Sequence, residues 1–215
     1  MEKRELPIGT ETADDTGSDQ LSLFVKTELV PRFFQLLGHG FYVNVQTGCS
    51  LKELLCNQLG IQEDYLAQRI QTIFLNAKVV DDVNSAIVND SSVLALSGAM
   101  PGLVGAILRS GGYYAAMRSQ ISHEKNMPTS QLKDGKITLK LLNLVVKELG
   151  PTFLQNGILI KRKALQEFIE SHLDELKARC VAVELNDKPV EIDNLRNADW
   201  KTKSIFLQVK SEQTV

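Results

Sequence analysis

Short apolar runs bounded by turn residues predict strands along this chain, and two stretches with apolar positions three and four apart predict helices. The first helix runs from Ser50 to Gly60. Ser50 and Glu53 form a capping box, Leu51, Leu54, Leu55 and Leu59 share one face, and Gly60 supplies a left-handed cap. Lys52, Asn57 and Gln58 take its other face. The second runs from Lys163 to Lys177, with Leu165, Phe168, Ile169, Leu173 and Leu176 on one side. Apolar runs at Leu21–Phe24, at Phe33–Leu37 and at Phe41–Val45, the last two separated by Gly38-His39-Gly40, predict a β-hairpin with His39 as a solvated turn residue. Thr72–Leu75, a turn at Asn76-Ala77-Lys78, and Val79-Val80 predict a second hairpin. A polar loop with Asp81, Asp82 and Asn84 and a turn at Asn89–Ser92 lead to Val93–Leu96, a run expected in the middle of a sheet. Ile137–Leu149 is apolar at mixed period, Gly150-Pro151 breaks it, and Ile158–Ile160 reads as a strand.

The end of the chain echoes the middle. Cys180–Leu195 parallels Gln71–Ala86, both containing Leu-Asn-x-Lys-x-Val, at 75–80 and at 185–190, and Ser204–Val209 then stands where Val93–Leu96 stood. These elements either make a second half like the first or add strands to the first sheet. The pattern divides the chain into an acidic tail at 1–20 expected to be disordered, a domain at 21–122 with a glycine-rich extension, a linker or surface loop at 123–135 and an α/β portion at 136–215. The class is α+β.

Charge and composition narrow the function. The 24 basic and 26 acidic residues give a formal net charge of −2, which offers no broad positive field for nucleic acid or anionic lipid. The basic triplet Lys161-Arg162-Lys163 is too small for a nucleic-acid footprint and reads as a solvated cluster. The N-terminus lacks an apolar run, and the apolar stretch Leu103–Met117 is interrupted by Arg109 and too short to span a bilayer, so the expectation is a cytoplasmic protein away from membranes. Cys49, Cys56 and Cys180 form neither a disulfide framework nor a zinc pattern; Cys49, just before a helix start, is the one whose thiol pKa a helix dipole would lower. His39, His172 and the adjacent Asp81 and Asp82 have no converging partners in sequence, and Trp200, the sole Trp, reads as a packing residue. No metal site and no cofactor is expected.

With SLKELL at 50–55, TIFLNAKVV at 72–80 and VNDSSVLALSGAMPG at 88–102, residues 32–102 resemble a ubiquitin-like β-grasp domain, most of all the small sulfur-carrier proteins of molybdopterin and thiamine biosynthesis. The resemblance implies a carrier whose terminal Gly-Gly is adenylated and converted to a thiocarboxylate. Here Pro101-Gly102 stands where two glycines are wanted, the chain continues to residue 215, and the adjacent pair is Gly111-Gly112. Carrier chemistry would require proteolytic exposure of Gly102, Gly111 or Gly112; without it the fold implies a binding surface. The segment Leu96–Gly112 also resembles the glycine-rich turn of dinucleotide-binding folds, with Gly98, Gly102 and Gly105 as its candidate cofactor-binding residues, but Pro101 removes an N–H from such a cradle and the spacing is not GxGxxG. The expected function is a noncatalytic protein-interaction or accessory module with a protein partner, self-association being left open. The alternatives are a sulfur-carrier precursor and a nucleotide-binding protein using Gly98–Gly112. No general base, nucleophile or metal cluster points to an enzyme.

Overall fold

Period-two alternation dictates which side chains each strand buries. In the computed structural model, which describes residues 18–110, 112–113 and 132–212, β1 (Asp19–Lys26) buries Leu21, Leu23 and Val25 and turns Ser22 and Phe24 to the other side. The chain then passes through a 3₁₀ segment, Thr27–Phe33, into α1 (Phe34–His39), and on to β2 (Phe41–Thr47) and β3 (Cys49–Ser50). A π-helical turn, Glu53–Gln58, and α2 (Glu63–Gln68) precede β4 (Thr72–Leu75), β5 (Lys78–Val79), β6 (Ile87–Val88) and β7 (Val93–Ser97). After α3 (Gly102–Leu108) come β8 (Lys133–Leu142), α4 (Asn143–Asn156), β9 (Ile158–Lys161) and α5 (Arg162–Arg179). β10 (Cys180–Leu185), β11 (Lys188–Pro189), a 3₁₀ segment at Ile192–Asn197 and β12 (Ser204–Glu212) complete the described chain.

Ten strands form one mixed sheet in the order β11-β10-β1-β12-β9-β2-β8-β7-β4-β5, and β3 pairs with β6 apart from it. The order has a symmetry. Counted inward from either edge, each half has an edge hairpin, an antiparallel step to an inner strand, a parallel pair (β1 with β12, β7 with β8) and an antiparallel step to the seam, where Tyr42 of β2 faces Leu159 of β9. The pairings make β1 and β2, β8 and β9, β2 and β4, and β9 and β10 parallel partners in crossover connections. Right-handed crossovers put all the intervening helices on one face. There the buried strand residues join Leu36, Leu37, Phe153, Leu154, Leu165, Phe168 and Ile169 in one core cluster. Phe41 of β2 packs on Phe153 of α4 across that interface, and Phe33 packs on Phe168 within the helical layer. No helix among the described residues is long and apolar enough to cross a membrane.

The Leu-Asn-x-Lys-x-Val echo is structural in detail. Leu75 pairs with Lys78, and Leu185 with Lys188. Asn76 and Ala77 have φ of 51° and 64°, Asn186 and Asp187 52° and 61°, the left-handed pair of a type I′ turn. Asn76 donates its backbone N–H to the Val93 carbonyl and accepts the Val93 N–H through Oδ1 at 2.8 Å. Asn186 does the same with Gln20, at 2.8 and 2.9 Å. The strand clasped by the second hairpin is therefore β1, from the other end of the chain.

Three expectations are corrected by these elements. Phe33–Leu37 is not a strand: Leu29, Val30, Phe33, Leu36 and Leu37 are buried at helical spacing, so this run folds as 3₁₀ and α-helix and His39 ends α1. Gly150-Pro151 does not end a segment but lies within α4. A Cβ at Gly150 would meet Leu37 Cδ1 at 3.0 Å and the Phe34 ring at 3.1 Å, so the glycine lets α1 and α4 approach closely. Ser204–Val209 does not take the place of Val93–Leu96, because β12 lies between β1 and β9 and does not pair with β10. Strand pairing crosses the expected division at 123–135. β8 begins at Lys133 and completes the half containing β2 and β7, while β1 belongs to the half built from residues after 158. Residues 1–17 of the expected tail lie outside the described residues, but Asp19 and Gln20 are already strand.

Asp19 holds the loop before β12. Only 3% exposed, it accepts hydrogen bonds from the N–H groups of Lys201 (2.7 Å) and Thr202 (3.1 Å) and from Asn186 Nδ2 (3.1 Å). Burial alone would raise its carboxyl pKa; the bonds from Asn186, Thr202 and Lys201 outweigh that and bring it below the ordinary value. A depressed carboxylate stabilises the fold above its unfolded pKa, and that contribution disappears as pH falls through the folded value. Asp19→Asn is expected to cost about 1–2 kcal/mol at pH 7, since hydrogen bonds to a charged acceptor are worth more than neutral ones. In urea titrations the gap from the native protein should close below about pH 3.8; a gap that stays constant with pH would show that the charge is irrelevant.

Candidate functional site

The face of the sheet opposite the helices is built by the other set of alternating positions. It carries half-buried Phe24, Tyr42, Thr138, Phe206 and Gln208, with Leu159 at the seam. Tyr42 stands on this face because Phe41 and Val43, its neighbours in β2, are core residues. On β8, Lys136 sits opposite Asn44 in register and Thr138 opposite Tyr42. On the other side of the seam Lys161 ends β9 opposite Ser204. The ammonium groups of Lys136 and Lys161 lie 5.9 and 6.0 Å from the centre of the Tyr42 ring, and Lys210 lies 5.2 Å from that of Phe24.

Tyr42, Lys136 and Lys161 line a groove of about 680 Å³ together with Arg162, Lys163, Lys203 and Ser204. The loop at its end is fixed by hydrogen bonds at both sides of the chain. Arg162 receives no freedom from its position at the start of α5: its backbone N–H donates to the Lys203 carbonyl at 2.9 Å and its guanidinium to the Trp200 carbonyl at 3.1 Å. Trp200 is buried in the core, which anchors that loop. Among the described residues no carboxylate forms an ion pair with Lys161 or Lys203; Asp90 accepts the Lys136 backbone N–H at 2.8 Å and feels its charge, and Lys163 approaches Glu167 at 3.8 Å. Five cations thus line one groove, two of them over its phenol ring, in a chain whose formal charge is −2. Its lining of one phenol, one serine hydroxyl and five cationic side chains is equipped to hold an anion against an aromatic surface.

The residues nominated by sequence fall elsewhere. Gly98 is buried after β7, where a Cβ would meet Leu144 Cβ at 3.2 Å. Gly102 begins the seven-residue α3 with φ +78° and open space around it. At Gly105 a Cβ would lie 1.9 Å from the Met100 carbonyl oxygen, so the chain itself fills the place a ligand would need. Past α3, Ser110 donates its N–H to the Gln71 carbonyl (2.9 Å) and its hydroxyl to that of Asp81 (3.0 Å), tying the segment to the residue before β4 and the loop after β5. Gly112 donates to the Arg109 carbonyl at 3.1 Å; Gly111 lies outside the described residues. A second cavity of about 470 Å³, between α2 and this segment, is lined by Lys52, Glu63, Asp81 and Arg109 among others, of mixed charge, with Lys52 and Glu63 paired at 2.8 Å.

His39 is exposed at the end of α1, and His172 stacks on Phe168 at 4.6 Å where α5 kinks. Asp82 caps its own loop by accepting the Asn84 N–H at 2.9 Å. Cys49, Cys56 and Cys180 are free thiols, each pushed above the ordinary pKa chiefly by burial. Cys49 lies buried in β3, so desolvation outweighs the helix dipole expected to lower it. Sequence reasoning found the triplet Lys161-Arg162-Lys163 but missed Tyr42, Lys136 and Lys203. The alternation in FYVNVQT and GKITLK placed Tyr42 and Lys136 on polar faces, and only the sheet order brings those faces together.

No family model, curated protein or solved structure matches this chain.

Proposed function

We propose that this chain is a noncatalytic protein-interaction module, built on two β-grasp-like halves, whose binding surface is the sheet face that the crossover helices leave uncovered. The observation that carries the reading is the basic, aromatic-centred groove at the seam, fixed by strands on both sides. The β-grasp reading is supported by the first half: an antiparallel pair (β8 with β2), a capped helix, the β4–β5 hairpin and a last strand, β7. Ser50 Oγ accepts the Glu53 N–H at 3.2 Å, one of the two bonds of the expected capping box, while the Glu53 carboxylate accepts from Asn57 Nδ2 at 2.6 Å, and Gly60 has the left-handed φ of 67° expected of the cap. In the second half β12, β9, α5, β10–β11 and β1 occupy the corresponding places.

The alternatives have less support. A sulfur carrier ending at Gly102 or Gly112 would lose β8, whose Ile137, Leu139 and Leu141 are completely buried between β2 and β7. A nucleotide held by Gly98–Gly105 would compete with the Met100 carbonyl. The test is affinity purification from native cells with the full chain and with Lys161→Glu/Lys203→Glu. A protein partner retained by the first and lost by the second is the expected result. Identical captures by both, or an intact mass in cells ending at one of those glycines, would refute the reading.

A further inference from the structure

Resting on that reading, we propose that the seam groove binds an acidic, extended peptide segment of the partner, its carboxylates taken by Lys136, Lys161 and Lys203 and its chain lying along the Tyr42 ring. Charge complementarity argues for this occupant. Lys136 and Lys161 flank the ring from β8 and β9, while Lys203 and Arg162 close one end. The cations thus stand on both sides of the ring, Lys136 on β8 and Lys161 on β9 with β2 between them and Lys203 just before β12, an arrangement that can meet more than one carboxylate of an extended chain. Arg162 already donates to the Trp200 carbonyl, so it fixes the shape of that end; Lys161 and Lys203 form no ion pair among the described residues, and Lys136 shares its charge with Asp90.

A polynucleotide fits less well. The charges cover a short span and the rest of the chain is net negative, so a long polyanion would meet repulsion beyond the groove. An acidic segment a few residues long avoids that cost. The Tyr42 ring, already polarised by two ammonium groups, supplies apolar contact to the peptide backbone and stems.

Fluorescence anisotropy with the full chain tests this, using a labelled ten-residue peptide alternating Glu and Ser and its Gln–Ser counterpart. Saturable binding of the Glu peptide only is expected at low salt, weakened several-fold at about 0.3 M salt, where the Debye length has shrunk below 10 Å. Lys161→Glu/Lys203→Glu should weaken it about ten-fold or more, and the neutral Lys161→Gln/Lys203→Gln, which adds no repulsion and guards against misfolding, by a smaller factor. Lys188→Glu/Arg196→Glu, an equal charge change away from the groove, should leave it unaltered. Absence of binding, or equal weakening by the distant pair, overturns the proposal. So does tighter, groove-dependent binding of a twelve-residue oligothymidine, which would make the groove a single-strand nucleic-acid site. If the peptide fails while the cellular partner is still lost from Lys161→Glu/Lys203→Glu, only the acidic-peptide inference falls; if those substitutions change neither, the interaction-surface reading falls with it.

Discussion

Expressed separately, residues 1–122 and 123–215 should each lack a cooperative unfolding transition, and co-expression should restore one. The first piece contains β2, β7 and β4 but not β8, the strand between β2 and β7. Ile137, Leu139 and Leu141 of that strand are all 0% exposed, and burying side chains of this size is worth about 1.5–3 kcal/mol each. Their combined loss rivals the whole stability of a typical domain, about 5–15 kcal/mol. The second piece fails for the mirrored reason. It lacks β1, whose Leu21, Leu23 and Val25 fill the gap between β10 and β12 and are likewise 0% exposed. Circular dichroism during urea titration, with amide exchange, checks the result. A sigmoidal transition and protected amides in either piece alone would mean that the expected boundary at 123–135 does divide two folding units after all.

That exchange of strands marks where the sequence stops being legible. Elements defined by their own residues were readable: the capped turn at Ser50, the hairpin at Leu75–Lys78, β9 and α5 each follow from local periodicity and turn chemistry. The repeat of Leu-Asn-x-Lys-x-Val was readable as a pair of hairpins for the same reason. What each hairpin clasps was not. Asn76 holds Val93, seventeen residues on, while Asn186 holds Gln20, 166 residues back, and nothing in the turn sequence distinguishes the two. Short apolar runs were ambiguous in the ordinary way: Phe33–Leu37 fits a strand by length, and its helical burial shows only when Leu29 and Val30 are counted with it. The groove was hidden most completely. The Lys161-Arg162-Lys163 triplet looks like a solvated cluster until the seam pairing of Tyr42 with Leu159 sets it beside a ring and a lysine from the other half.

The seam itself offers the second large effect: Gly157→Ala should destabilise the protein by about 4 kcal/mol, the sum of two costs. Gly157 caps α4 with φ +97° and ψ 144°, a backbone region that alanine adopts only under strain of about 1–3 kcal/mol. A Cβ there would also lie 2.0 Å from Cζ of Phe206, whose ring covers the glycine from the neighbouring strand, so the ring must move at an overpacking cost of about 1–3 kcal/mol. Gly40 is its counterpart across the seam. It caps α1 with φ +116° and donates its N–H to the Leu36 carbonyl, as Gly157 does to that of Phe153. Its Cβ would meet the Thr138 methyl at 2.9 Å and flexible Lys140 atoms at 3.3 Å, so Gly40→Ala should cost mainly the backbone strain, about 2 kcal/mol. Phe206→Ala separates the two terms. Combined with Gly157→Ala it removes the clash and leaves the strain, so the double variant should be more stable than the sum of the single losses by about 1–3 kcal/mol. Simple additivity in urea titrations would mean that the Phe206 ring gives way freely and that the cost at Gly157 is backbone strain alone.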